Sequence, residues 1–384
     1  MEKICLLGAS GSIGRQTLEV IKEERTSFEL VSFSVGHNDK VIEPILKDHP
    51  EVESIYLIDE KKALVLANKY PHLKVFSGVN GLKELCEETK ATMVVNGLVG
   101  FSGLVPSFIT LKRNLKLALA NKESLVVGGE LIDDLLKKGK GKLYPIDSEH
   151  SAILKCLLVE DKNVDKLILT ASGGAFRKLK KSDLEHVSKE DALRHPTWEM
   201  GEKITIDSAT MVNKCFEIIE AHYLFSYPYS KIKVLLHDES MIHSLVRYKD
   251  GTHRAEISEP DMKNPIRFAL FENNYPFETF LAMSYEDFGP YHFQRFCFKR
   301  YPLVKWAKKV IEEKGIFGAV LNASNEIAVE AFLKDQIGFL TIDKIINTCM
   351  EETQNIVHPN LEVLIEVDAK TRLKARELVE KWSK

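Results

Sequence analysis

Through the first 150 residues short apolar runs alternate with helical patterns, and this alternation limits the fold more than anything else in the chain. The runs are "KICLLGASGSIG", "FELVSFSVG", "SIYLID", "LKVFSG", "TMVVNGLVG", "LKLALAN" and "KLYPID". Most are rich in Val, Ile and Leu, as strands buried on both faces are. Helix-like segments at 15–24 and 104–113 stand among them. Repeated β-α-β units imply a doubly wound, Rossmann-like parallel sheet with helices on both faces. Such sheets bind ligands beyond the carboxyl ends of their strands.

Past residue 150 the pattern changes. "KLILTASGG", "KITIDSAT", "IKVLLHDES" and "HSLVRYKDGTHRAEIS" read as strands, the last with a hairpin turn at Asp250-Gly251. A charged helical stretch (178–194) and a strong helix (209–225) lie between them, giving an α+β domain. From Tyr301 the pattern is helical to the end. The expected organisation is a nucleotide-binding domain at 1–148, a catalytic α+β domain at 149–272, a linker at 273–300 and a helical bundle domain at 301–384.

With 44% hydrophobic and 28% charged residues this is the composition of a soluble globular chain. A net charge of -3 argues against a surface built for nucleic acid or anionic membrane. The six cysteines form no C-x-x-C pair, as expected of reduced thiols in the cytoplasm. Neither a signal peptide nor a membrane span is expected.

"LLGASGSIGRQTLEVI" puts Gly8, Gly11 and Gly14 between the first strand and the first helix, where a pyrophosphate can sit on the helix N-terminus. An NAD site usually carries an acid at the end of the second strand to hold the ribose hydroxyls. Here Gly36, His37 and Asn38 stand at that corner, which favours NADP; read as an ordinary turn, it leaves the preference open.

Asp147 and Glu149 are two residues apart in "YPIDSEHSAI", and on an extended segment they face one side. Two anions so close need a cation, an acid/base role or an exposed turn. Glu217 in "VNKCFEIIEAHYLF" adds a third carboxylate, and an all-oxygen set suits Mg²⁺ or Mn²⁺. Singly, each has an ordinary reading: a solvated turn, or a Lys214–Glu217 ion pair on a helix surface. Ser172 with Gly173-Gly174 offers an anion nest. Ser208, read as a helix N-cap, joins Asn213 and Lys214 as further anion ligands at a helix start. "LRHPTWEMGEK" reads as a lid carrying His195 and Trp198, although a Trp folded into the protein is the commoner case.

Taken together, "GASGSIG", "LALANKESLV", "PIDSEHSAI", "TASGGAFR", "RHPTWEMGEKITIDSATMVNKCFEIIEAHYLF", "EPDM" and "LNASNEIAVEAF" resemble the 1-deoxy-D-xylulose 5-phosphate reductoisomerase family, in order along the chain. The resemblance implies NADPH and a divalent metal as cofactors, a sugar phosphate substrate and a homodimer. It implies a retro-aldol/aldol rearrangement followed by reduction to 2-C-methyl-D-erythritol 4-phosphate in isoprenoid biosynthesis. Asp147, Glu149 and Glu217 match the metal ligands. Ser148, Glu149, Ser172, His195, Trp198, Ser208, Asn213, Lys214 and Glu217 match the substrate shell, with Lys122, Glu149 and His195 in catalytic roles. Gly8, Ser10, Gly11, Ser12, Ile13, Gly36, His37, Asn38, Asn121, Lys122, Glu123, Gly201 and Met262 match the cofactor contacts. His37 stands where a Lys or Arg would grip a 2′-phosphate more firmly, and Ala175 and Cys215 are minor departures. A dehydrogenase without rearrangement and a non-catalytic NADPH-sensing scaffold are the alternative readings.

Overall fold

A computed structural model describes residues 1–159, 163–194, 197–198, 200–274 and 288–383. The chain divides into two compact units: Met1–Ser124, Leu131–Asp147 and Met262–Tyr275 form one, and Leu125–Glu130, Ser148–Asp261 and Pro276–Lys384 the other.

The first unit is built on seven strands: β1 (Glu2–Leu7), β2 (Phe28–Val35), β3 (Ser54–Leu57), β4 (Lys74–Ser77), β5 (Met93–Asn96), β6 (Lys116–Leu119) and β7 (Lys142–Pro145). All pair in parallel, in the order β4-β3-β2-β1-β5-β6-β7, the doubly wound arrangement expected. The two-residue period of a strand assigns its side chains to opposite faces. Ile4 and Leu6 of β1 enter one core with Leu30, Phe33, Ile55 and Val95. Cys5 and Leu7 enter the other with Val31, Leu85 and Val94. Both faces are apolar, which explains the near-continuous hydrophobic runs. The helix Lys263–Leu270 returns to this unit and adds Ile266, Ala269 and Leu270 to the first core.

The second unit contains β8 (Val164–Ala171), β9 (Ile232–Leu236), β10 (Ile242–Tyr248), β11 (His253–Ile257) and β12 (Gln294–Arg295) in the order β11-β10-β8-β9-β12. β8 and β9 are parallel and the other pairings antiparallel. Four helices follow: Lys305–Glu313, Phe317–Leu333, Phe339–Glu351 and Leu361–Lys381. Phe317–Leu333 is buried around nearly its whole circumference and packs on the other three, so it is the axis of the helical region.

Four local expectations are corrected. "KITIDSAT" is not a strand but most of the helix Glu202–Thr210; its first residue follows Gly201, and all of Thr205–Thr210 is buried, so packing overrides the β-branched composition. That helix and Val212–Phe225 are separated by Met211 at φ 64°, so Ser208 lies in the last turn of one helix and is not the N-cap of the next. Glu149 lies in the first turn of the helix Ser148–Val159, not on an extended segment. The charged stretch 178–194 holds only two short turns of helix, Lys181–Glu185 and Lys189–Ala192. Residues 275–287 of the expected linker lie outside the described residues.

Candidate active site

In the first unit the glycine loop joins β1 to the helix Ser12–Glu23. Gly8 N–H donates to Ser34 Oγ and Ala9 N–H to the Ser34 carbonyl, both at 2.9 Å, tying the loop to β2. A Cβ at Gly14 would lie 2.2 Å from the Gly8 carbonyl oxygen and 2.6 Å from Ala9 Cα, so only glycine permits this approach. No side chain caps the helix and its first turn has no acid, which leaves N–H groups at Ser12 and Ile13 suited to an anion. Ser10 borders the loop, and Gly36, His37 and Asn38 follow β2 at the same end of the sheet, with His37 and Asn38 exposed.

Asn121, fully buried after β6, turns its amide to the carbonyls of Leu98 and Gly100 at 3.0 and 2.9 Å, and to Glu123. Its side chain therefore braces the neighbouring loop. Lys122 Nζ lies 2.8 Å from Asp147 Oδ2. Met262 caps the helix Lys263–Leu270 and packs on the first core.

The chain re-enters the second unit at Ser148, and helix geometry there replaces the extended one expected. Ser148 Oγ donates to Glu149 Oε2 at 2.6 Å. Lys214 reaches from the first turn of Val212–Phe225 and is fully buried. Its ammonium donates to Glu149 Oε1 at 2.8 Å, to the Thr170 carbonyl at 2.5 Å and to Glu217 Oε2. Burial alone would lower the Lys214 pKa, but Glu149 and Glu217 outweigh it and hold it above the ordinary lysine value. Asn213 donates to the other oxygen of Glu217. The Lys214–Glu217 pair anticipated as a surface contact thus exists, but in the interior.

Asp147, the chain neighbour of Ser148, completes the set: Asp147, Glu149 and Glu217 each offer a carboxylate oxygen within 4.8 Å of the others. The donors are all hard oxygens, which fits Mg²⁺ or Mn²⁺. A second grouping of Asp147 with His150 and Glu220 went unread in the sequence. His150, wholly buried, has Nε2 3.0 Å from the Glu217 carbonyl oxygen and Nδ1 3.3 Å from Glu220 Oε2. A carbonyl only accepts, so Nε2 carries a proton. The signal was available: Glu220 follows Glu217 by three residues, on the same helix face.

Beside this cluster the loop after β8 turns at Gly173 (φ 87°) and Gly174 (φ 69°), and Gly174 N–H lies 3.3 Å from Ser172 Oγ. A Cβ on Gly174 would come within 2.6 Å of the Ser208 carbonyl oxygen, so this turn rests directly on the helix carrying Ser208. Ser172, Ser208, Asn213 and Lys214 therefore come from adjoining elements. Gly201 stands at the N-cap of Glu202–Thr210. Partly buried Trp198 has its ring centroid 6.0 Å from that of His243. His195 lies outside the described residues, as do Pro196 and Glu199.

Comparison with known proteins identifies the family of the chain. Family models described as 1-deoxy-D-xylulose 5-phosphate reductoisomerase match residues 4–129, with its C-terminal domains at 143–225 and 257–374. The 1-deoxy-D-xylulose 5-phosphate reductoisomerase of Lysinibacillus sphaericus is 44% identical over 97% of this chain and 98% of its own. Its Geobacillus counterpart is 42% identical over 99% and 100%. The solved Zymomonas mobilis enzyme in complex with NADPH superposes with a TM-score of 0.90 at 33% identity, covering 99% of both chains. A DOX-P reductoisomerase in complex with NADPH, fosmidomycin and magnesium gives 0.91 at 31% identity, covering 99% and 98%. A doubly wound sheet, a second mixed sheet with a carboxylate cluster and a helical C-terminal region define an α/β oxidoreductase. The chain belongs to the 1-deoxy-D-xylulose 5-phosphate reductoisomerase family.

Proposed function

We propose that this enzyme uses NADPH and a divalent metal to rearrange and reduce 1-deoxy-D-xylulose 5-phosphate to 2-C-methyl-D-erythritol 4-phosphate, in the non-mevalonate route to isoprenoid precursors. The observation that carries the site assignment is the convergence of Asp147, Glu149 and Glu217 next to the Ser172–Gly174 turn and Ser208. A dehydrogenase without rearrangement has no need of both.

Asp147, Glu149 and Glu217 would hold the metal, whose charge polarises a ketone and acidifies the adjoining hydroxyl. The glycine loop with Ser10, Gly11, Ser12 and Ile13, and the Gly36–Asn38 corner, would hold NADPH, the source of the hydride; Asn121, Lys122, Glu123, Gly201 and Met262 belong to the same reading. Ser148 hydrogen-bonds the ketose hydroxyls between the carboxylates. Glu149, less buried than Glu217, moves the hydroxyl proton as one carbon–carbon bond breaks and another forms. Lys122 holds Asp147 and borders both ligands; His195 and Trp198 cover the substrate. Ser172, Ser208 and Asn213 fix the phosphate, with the Lys214 charge beside them, and this remote group supplies binding energy that positions the reacting carbons.

On this reading 1–148 is the nucleotide domain, 149–272 the catalytic domain, 273–300 the linker and 301–384 a helical domain. The enzyme works in the cytoplasm; among the described residues no helix is long and apolar enough to cross a membrane. A homodimer is supported by exposed Phe288, Phe293 and Phe298 around the short edge strand β12, a surface suited to a second copy. Metal-dependent NADPH oxidation with 1-deoxy-D-xylulose 5-phosphate tests the whole proposal. Activity only on another substrate would leave a simple dehydrogenase, and no consumption at all would leave a nucleotide sensor.

A further inference from the structure

The motif "LNASNEIAVEAF" lies on the helix Phe317–Leu333 and has no part in the chemistry above. Its asparagines and serine, Asn322, Ser324 and Asn325, are nonetheless completely buried. Asn325 Nδ2 donates to Asp207 Oδ1 at 2.8 Å, and Lys203 Nζ lies 2.7 Å from Asp207 Oδ2. Asp207 is itself only 2% exposed and immediately precedes Ser208. A carboxylate so deep requires charged or hydrogen-bonding partners, and these two fix where its helix turn sits. Asn325 thereby reaches Ser208 through one residue.

A second contact acts on the Gly173–Gly174 turn. The Tyr301 hydroxyl donates to the Gly173 carbonyl at 3.3 Å, and Arg300 donates from Nη2 to the Phe176 carbonyl at 2.5 Å and from Nε to the Tyr301 oxygen at 3.1 Å. In a trans peptide the carbonyl of one residue and the N–H of the next point in opposite directions. Holding the Gly173 carbonyl therefore aims the Gly174 N–H to the far side, where Ser172 Oγ lies. Glycine adopts backbone conformations that other residues rarely reach, so an external hydrogen bond on this turn helps to select its peptide orientation.

We propose that the C-terminal helical region positions the phosphate shell: Tyr301 sets the Gly173–Gly174 peptide plane, and Asn325 sets Ser208 through Asp207. Both are positioning residues, and the inference rests on the phosphate assignment of Ser172 and Ser208 made above. The test compares kcat/KM for 1-deoxy-D-xylulose 5-phosphate with that for the same ketose lacking its phosphate, at high enzyme concentration. Losing one correctly aimed hydrogen bond, Tyr301→Phe and Asn325→Leu should each lower kcat/KM for the phosphorylated substrate about tenfold. Neither should alter kcat/KM for the unphosphorylated ketose or KM for NADPH. Ser208→Ala is the reference and should show the same selective loss. If Ser208→Ala lacks it, the phosphate assignment falls and takes the inference with it. If Ser208→Ala shows it while Tyr301→Phe and Asn325→Leu do not, or lose both substrates in proportion, the inference alone falls. Should Asn325→Leu fail to fold, Tyr301→Phe decides, since its ring remains stacked on Phe296.

Discussion

Glu217→Gln puts the carboxylate cluster to its most direct test. Glu217 is 1% exposed and receives Asn213 on one oxygen and Lys214 on the other. Glutamine keeps the shape but replaces one acceptor with an NH₂ that meets a donor head-on, at a folding cost of about 1–3 kcal/mol. The larger effect is on the metal. The three carboxylates carry three negative charges, and two positive charges come from Lys122 and Lys214. Removing one negative charge makes the cluster neutral overall. At an effective dielectric near 20 and a separation of about 4 Å, each unit charge pair is worth about 4 kcal/mol, or roughly three decades of affinity. The variant should therefore show no turnover at ordinary Mg²⁺ or Mn²⁺ concentrations. NADPH binding, followed by fluorescence, should stay intact because the glycine loop belongs to the other unit. Turnover within tenfold of wild type, at the same metal concentration, would refute the assignment of Glu217 as a ligand.

Three further outcomes are expected. Burial lifts the Asp343 pKa to about 6 against the opposing pull of Lys181 and Lys305, so folding stability falls as pH rises from about 4 to 6. Asp343→Asn should match wild type near pH 4 and melt higher at pH 7, by at most about 3 kcal/mol in free energy; a lower melting temperature at pH 7 would show that the lysines outweigh burial. Gly14→Ala drives a methyl into the Gly8 carbonyl, so it should destabilise the protein by about 1–3 kcal/mol and raise KM for NADPH at least about tenfold, and an unchanged KM would separate the loop from the cofactor. Trp198→Ala should raise KM for the sugar phosphate and lower kcat together, and unchanged kinetics would remove Trp198 from the substrate site.

The parallel sheet was legible because each of its strands reports its surroundings locally: Ile4 and Leu6 face one core, Cys5 and Leu7 the other, and the run is apolar throughout. The glycine loop was legible because Gly14 answers a steric demand made by residues 8 and 9. The helix Glu202–Thr210 was not, since Ile204, Thr205 and Ile206 favour a strand and only burial against distant helices reverses that preference. Ser208 was consequently read as the N-cap of one helix when it lies in the last turn of the one before it. The carboxylate trio could be picked out by residue type, but their partners could not. Asn121 turns its amide to carbonyls some 20 positions earlier, and Asp207 depends on an asparagine 118 positions later. Sequence spacing carries no trace of either contact.

Lys214 shows how far that hidden part governs the visible one. An ammonium has three N–H donors, and here three acceptors surround it: Glu149 Oε1, Glu217 Oε2 and the Thr170 carbonyl oxygen. The site is closed around a compact charge, with Lys214 2% exposed. Arginine carries the same charge, but its planar fork spreads five donors over a wider group and cannot converge on three acceptors arranged about one nitrogen. Lys214→Arg should therefore behave like Lys214→Met rather than like wild type. Each leaves buried carboxylates incompletely paired, which costs about 3–5 kcal/mol. If charge alone mattered, Lys214→Arg would keep the melting temperature and most of the activity while Lys214→Met lost both. Thermal unfolding and kcat/KM measured side by side decide between the two. Wild-type stability in Lys214→Arg would mean that the cluster tolerates a dispersed cation, and that its three-acceptor geometry does not determine the residue at this position.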